Sequence, residues 1–157
     1  MTAYRYWLLK SEPLTYSIDD FASLGVDHWD GVRNYQARNF LKEMQVGDYA
    51  FFYHSNCKVP GVVGLARVVR AAYPDHTSFD KSSKYYDPKS SPDNPRWFMV
   101  DLEFVEKFGR EASLTELKHQ PALEDLRLVQ RGNRLSVMPV TAKEAQCILR
   151  LCEASLV

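Results

Sequence analysis

Residues 48–72 read DYAFFYHSNCKVPGVVGLARVVRAA and hold two runs of strand character, Asp48 to His54 and Val62 to Ala72. Both are rich in aromatic or β-branched side chains, which pack well on a pleated, half-buried surface. The first run ends in His54, Ser55 and Asn56, where a sheet edge opens into a loop, a common place for groups that touch a ligand. Gly61 and Gly64 carry neither the spacing of a dinucleotide fingerprint nor the Lys-Ser/Thr of a phosphate loop. They fit a bend or bulge in the strand instead.

Three further runs of the same character lie outside this stretch, Tyr4 to Leu9, Arg96 to Val105 and Arg134 to Val140. Five strands suggest a small barrel or a strongly curved sheet. Helical signals fall between them. Ser17 to Leu24 opens on a capping residue, and Asn34 to Gln45 carries Ala37, Phe40, Leu41 and Met44 at helical spacing. Ser113 with Glu116, and Thr141 with Glu144, have the capping-box form. The last helix is expected from Ala142 to about Glu153 with Ala145, Ile148, Leu149 and Cys152 inward. Strands broken by helices in irregular order disfavour a doubly wound parallel sheet and favour α+β. Pro74 to Pro95 reads as a long surface loop holding His76, Asp80, Lys84, Tyr85, Tyr86 and Asp87, and loops of that length are often functional.

The whole chain, 157 residues, is the length of one ordinary domain. Its 45% hydrophobic and 25% charged residues exclude a disordered, collagen-like or coiled-coil chain. Lys plus Arg equals Asp plus Glu at 20 each, so any nucleic-acid site must be local rather than global. Met1 to Lys10 does not read as a secretory signal, and no apolar run reaches the roughly 18 to 20 residues of a membrane span. An intracellular, cytoplasmic protein with no membrane partner is expected, including a nucleoid-associated one. Cys57, Cys147 and Cys152 form no CxxC pair, which argues against a disulfide scaffold or a zinc knuckle, and Cys147 and Cys152 are expected as buried thiols. No metal or cofactor set is apparent.

The densest chemistry lies in Trp29-Asp30-Gly31-Val32-Arg33-Asn34-Tyr35-Gln36-Ala37-Arg38-Asn39, where groups that stack and groups that read hydrogen bonds crowd a helix start. Asn34 can cap that helix beside amides suited to an anion or a polarised carbonyl. The same residues also admit a plain packing role, with Trp29 in the core and Arg33 and Arg38 solvated. Lys10-Ser11-Glu12-Pro13 directly follows the first strand and reads either as the polar rim of a pocket or as a solvated turn. Arg127, Arg131 and Arg134 cluster around Gly132 and Asn133, where they can touch phosphates or simply sit on the surface.

These segments, with Tyr6-Trp7-Leu8-Leu9-Lys10-Ser11-Glu12-Pro13, Val46-Gly47-Asp48, Phe52-Tyr53-His54-Ser55-Asn56, Tyr86-Asp87-Pro88, Pro95-Arg96-Trp97, Leu117-Lys118 and Arg134-Leu135-Ser136-Val137, resemble the EVE domain family of the PUA-like superfamily across nearly the whole chain. The resemblance implies one domain over residues 1–157, built on a curved, barrel-like mixed sheet of about five or six strands with flanking helices. It also implies recognition of modified nucleobases in DNA or RNA, with 5-methylcytosine and 5-hydroxymethylcytosine the leading candidates. A monomer without a cofactor is expected. Matched by motif, Ser11, Trp29, Asn34, Tyr35, His54, Ser55 and Tyr86 are expected to line the pocket. Lys10, Arg33, Arg38 and Arg131 are the expected phosphate or rim contacts. The rival reading is a small-molecule or nucleotide-binding enzyme in the same pocket, with His54 as general base and Asp87 or Glu12 as its acidic partner.

Overall fold

The computed structural model describes residues 5–155; Tyr4, the first residue of the earliest expected strand, lies outside them. The centre of the fold is a parallel pair, β1 (Tyr6–Ser11) and β3 (Tyr49–His54), in register from Tyr6 opposite Tyr49 to Ser11 opposite His54. Trp7, Leu8 and Leu9 on one strand and Ala50, Phe51, Phe52 and Tyr53 on the other are all buried, so both faces of the pair are covered. Unbroken apolar runs of this kind belong to strands buried on both sides. One buried carboxylate fixes how the two strands begin. Asp48, immediately before β3, accepts from Trp7 Nε1 at 2.9 Å and from the Gln45 amide at 2.9 Å.

Four more strands complete a mixed sheet: β2 (Val26–His28), β4 (Gly61–Pro74), β5 (Phe98–Ser113) and β6 (Val137–Val140). The order is β2-β5-β4-β3-β1-β6, and every pairing except β1 with β3 is antiparallel. The ladder is open, with β2 and β6 as its edges. The β4–β5 pair shifts register at four places, and β3–β4 shifts between Phe52 and Tyr53. Bulges of this kind bend a strand and increase its twist. At Gly64 a Cβ would fall 2.5 Å from Ile18 Cδ1 and 2.8 Å from Glu106 O, so the missing side chain lets a helix and the neighbouring strand both approach.

The helices begin where their capping residues stand. In α1 (Ile18–Leu24), Ser17 and Asp20 form a complete capping box. Asn34 caps α2 (Tyr35–Glu43) by accepting from the Ala37 amide at 2.9 Å. In α3 (Leu114–Lys118) only half of the expected box forms. Ser113 accepts from the Glu116 amide, while the Glu116 carboxylate turns to Arg110. Thr141 and Glu144 form the full box of α4 (Ala142–Leu151), which buries Ala145, Ile148 and Leu149 and ends at the buried Cys152. Cys147 is only half-buried, against the expectation of a fully buried thiol.

Three strands depart from the sequence reading. Strand β6 begins at Val137 rather than Arg134, where its pairing with β1 starts opposite Leu9. Edge strand β2 has only three residues, too few for a periodic signal, and β5 runs eight residues past Val105 because its partner β4 supplies a ladder as far as Gly61 opposite Ser113. The long segment 75–97 is a loop, with a 3-10 turn at His76–Phe79. Among the described residues no helix is long and apolar enough to cross a membrane.

Candidate functional site

The parallel register brings the C-terminal ends of β1 and β3 to the same side of the sheet, and the Ser55 amide donates to Ser11 O at 2.9 Å. A cleft of about 640 Å³ opens there, within the range of roughly 300 to 1,000 Å³ typical of small-ligand pockets. Lys10, Ser11 and Glu12 enter it from the end of β1, and Thr15 and Tyr16 from the turn that follows. Asp27 and His28 come from edge strand β2, with Trp29 and Asp30 in the link beyond it. Lys84 and Tyr85 come from the long loop, and Arg134 and Ser136 from the approach to β6.

Phe52 connects this cleft to the core. It is 1% exposed, and the Trp29 ring meets it edge-on with centroids 5.5 Å apart. Tyr16 packs on the same ring at 6.3 Å and meets Trp29 edge-on at 6.2 Å. The aromatic wall is thus an outgrowth of the sheet, held in orientation by a side chain that cannot move without opening the core. Tyr16 Oη is shielded from water and has no partner in hydrogen-bond geometry. Burial, and then the nearby Asp27 carboxylate, push its pKa up.

Arg33 ties the long loop across the opposite side. Its guanidinium donates twice to Tyr85 O, at 2.8 and 2.9 Å, and once each to Asp75 Oδ2 at 3.0 Å, Thr77 Oγ1 at 3.1 Å and Val32 O at 3.0 Å. A guanidinium has five N–H donors, and all are used. Asp75, fully buried, also accepts from the Gly31 amide at 2.8 Å. Burial alone would raise the pKa of this carboxyl, but hydrogen bonds from Thr77, Gly31 and Arg33 outweigh it and hold the group below its ordinary value.

The expected site residues divide accordingly. Ser11, Trp29, Ser55, Lys10 and Arg33 line the cleft, although Arg33 has no donor left for a phosphate. Asn34, Tyr35, His54, Tyr86, Arg38 and Arg131 are not among its lining residues. Asn34 is occupied as a helix cap. Tyr35 is half-exposed and stacks on Trp97 with centroids 4.7 Å apart. His54 Nε2 accepts from the Ile18 amide at 3.0 Å, and burial lowers its pKa. Arg38 donates to Arg96 O and to Asn39 Oδ1. The loop residue that faces the cleft is Tyr85, one position before the expected Tyr86.

Tyr16, Asp27, His28, Asp30, Lys84 and Arg134 escaped the reading of the sequence as site residues. Arg134 stood out only as one of three clustered arginines, and nothing local separates Tyr85 from Tyr86. The proposed acids of the enzymatic rival are engaged as well. Asp87 accepts from Trp97 Nε1 at 2.7 Å, and Glu12 accepts from Asn56 Nδ2 at 2.8 Å. Among the described residues no three His, Cys, Asp or Glu side chains are grouped to hold a metal ion.

A family model of the EVE domain matches residues 5–151. The chain belongs to the EVE domain family. Among its relatives, thymocyte nuclear protein 1 of Rattus norvegicus is 49% identical over 95% of this chain and 74% of the relative. A solved protein structure from Pseudomonas putida is 54% identical, covers 94% of this chain and 99% of that one, and superposes with a TM-score of 0.92. Human THYN1 protein, solved in complex with 5-methylcytosine containing DNA, is 46% identical over 96% of this chain and 99% of that one, with a TM-score of 0.90. The six-stranded mixed sheet with four α-helices described above is therefore the architecture of an EVE domain.

Proposed function

We propose that this chain is a binding module that draws one modified cytosine, 5-methylcytosine first among candidates, out of a nucleic-acid strand and holds it in the cleft between Trp29 and Tyr85. The observation that carries this reading is the meeting, in one cleft of about 640 Å³, of those two rings with cations that the fold leaves unused. Among the described residues the Arg134 side chain makes no hydrogen bond or ion pair and is exposed; the ammonium groups of Lys10 and Lys84 make only ring contacts, over Tyr53 at 5.9 Å and Tyr85 at 5.0 Å. The DNA-bound human relative lends the substrate class. The whole chain acts as a single EVE domain, a monomer without a cofactor, binding without turnover in the cytoplasm.

The energetics fit a reader of moderate affinity. Extruding a base costs a few kcal/mol, and stacking on an aromatic returns roughly 1 to 3 kcal/mol per base. With zero net charge on the chain, the local cations Lys10, Lys84 and Arg134 must supply the phosphate attraction. Burying a 5-methyl group adds about 0.8 kcal/mol, a few-fold preference by itself. The cytosine edge has natural partners here, since a carboxylate accepts from the N4 amino group and both Asp27 and Asp30 face the cleft.

The test is titration of short oligonucleotides carrying one unmodified, 5-methylated or 5-hydroxymethylated cytosine, followed by tryptophan fluorescence. Trp7 and Trp97 are buried, so Trp29 reports. Preference for a modified base with quenching supports the reading. Equal, weak and steeply salt-dependent binding to all three overturns it. Tyr85→Ala, on a surface loop, should lose the preference without unfolding the protein.

A further inference from the structure

Leu14 is more exposed than any other large hydrophobic residue described, with its entire side chain in water. It sits on a turn that is tied down at both ends. Glu12 O accepts from the Thr15 amide at 2.9 Å and from the Tyr16 amide at 2.8 Å. Ser11 Oγ donates to Tyr16 O at 2.5 Å, Asn56 Nδ2 holds the Glu12 carboxylate at 2.8 Å, and the Pro13 ring fixes one further dihedral.

A single exposed leucine is ordinary on a protein surface. Its place is what gives this one meaning. Its neighbours on the turn, Glu12, Thr15 and Tyr16, all line the cleft, so the leucine stands on the lip of the opening into which a base would pass. A rigid turn loses little conformational freedom when its side chain is inserted into something else.

We propose that Leu14 is a wedge that enters a DNA duplex beside the extruded nucleotide and fills the gap left in the stack. This rests on the reading of the cleft as a base pocket. Extrusion leaves neighbouring bases without a stacking partner, and proteins that open duplex steps commonly insert an apolar side chain between them. Insertion also removes the isobutyl group from water, which offsets part of the unstacking. Leu14 therefore serves duplex substrates, whereas a single strand, whose bases are already free to leave the stack, does not need it.

The experiment compares the full chain with Leu14→Ala on one 5-methylcytosine oligonucleotide, single-stranded and then paired, with 2-aminopurine next to the modified base in the duplex. The expected result is single-strand affinity within about twofold of the unsubstituted protein, duplex affinity lower by about tenfold, and a diminished 2-aminopurine signal. Leu14→Phe, which keeps an apolar wedge, should retain duplex binding. Equal duplex affinity for the unsubstituted protein and Leu14→Ala overturns the wedge while leaving the pocket standing. Binding of the single strand but not the duplex by the unsubstituted protein overturns it in the same way. Binding of neither form removes the base-pocket reading, and the wedge with it.

Discussion

The ring of Tyr85 occupies the space that a side chain at Gly31 would fill: a Cβ there would fall 2.6 Å from Tyr85 Cζ. Gly31 also has φ of +80°, a conformation that side-chain-bearing residues rarely adopt. Gly31→Ala should therefore push Tyr85 out of the cleft wall as well as strain the backbone. Thermal unfolding should show a loss of about 1 to 3 kcal/mol, and modified-base binding should fall further than stability alone explains.

Asp75 and Arg33 join the loop to the link after β2, with Asp75 fully buried. Removing one member of such a pair leaves an uncompensated charge, so Asp75→Asn should cost roughly 3 kcal/mol in denaturant unfolding. The Asp75 carboxyl titrates below its ordinary 3.8 in the folded state. Its contribution to stability is thus complete above about pH 4 and disappears as pH falls through the lowered value. Acid unfolding of Asp75→Asn should lack that portion of the pH dependence.

His54 gives a second pH dependence, at milder acidity. Burial lowers its pKa from 6.5 by disfavouring the charged imidazolium, and in the neutral form Nε2 accepts from the Ile18 amide at the start of α1. The stabilisation is present above about pH 6.5 and lost as pH falls through the lowered folded value. Midpoints of urea unfolding measured between pH 7.5 and 5 should fall for the unsubstituted protein and stay flatter for His54→Gln.

Tyr16→Phe removes a shielded hydroxyl that lies beside the Asp27 carboxylate without meeting it in hydrogen-bond geometry. Removing an unsatisfied buried polar group leaves stability unchanged or slightly raised. If Oη bonds the captured base, affinity for modified cytosine should drop about tenfold while the melting temperature holds, a split that a packing role would not produce.

Arg134 is the arginine at the cleft that the fold leaves free. Arg134→Ala should weaken binding of every oligonucleotide to a similar degree and reduce the slope of log affinity against log salt by about one. Arg131→Ala, three residues away and outside the cleft lining, should leave the slope closer to that of the unsubstituted protein.

Local grammar in the chain was enough to mark most of the architecture. Ser17, Asn34 and Thr141 are helix caps because a short polar side chain can reach the amide three residues on, a relationship contained within one turn. Tyr6 to Leu9 and Tyr49 to Tyr53 declare buried strands through unbroken apolar composition, and the family motifs point to the same fold. Edge strand β2 was not legible, since three residues hold no period and its pairing with β5 comes from Val26 opposite Glu103, far along the chain.

The site depended on distance of another kind. The family resemblance named Trp29, Ser11 and Ser55 as pocket residues, and all three line the cleft. Whether Tyr35, Tyr85 or Tyr86 faces the cleft, and whether Arg33 or Arg134 keeps free donors, is decided by contacts such as Arg33 to Tyr85 O, 52 residues apart. Caps and apolar runs are local properties, set by neighbours within a turn or a strand, so the sequence by itself determined them. The orientation of a side chain on a loop depends on which distant partner saturates its hydrogen bonds, and only the tertiary structure brings those partners together.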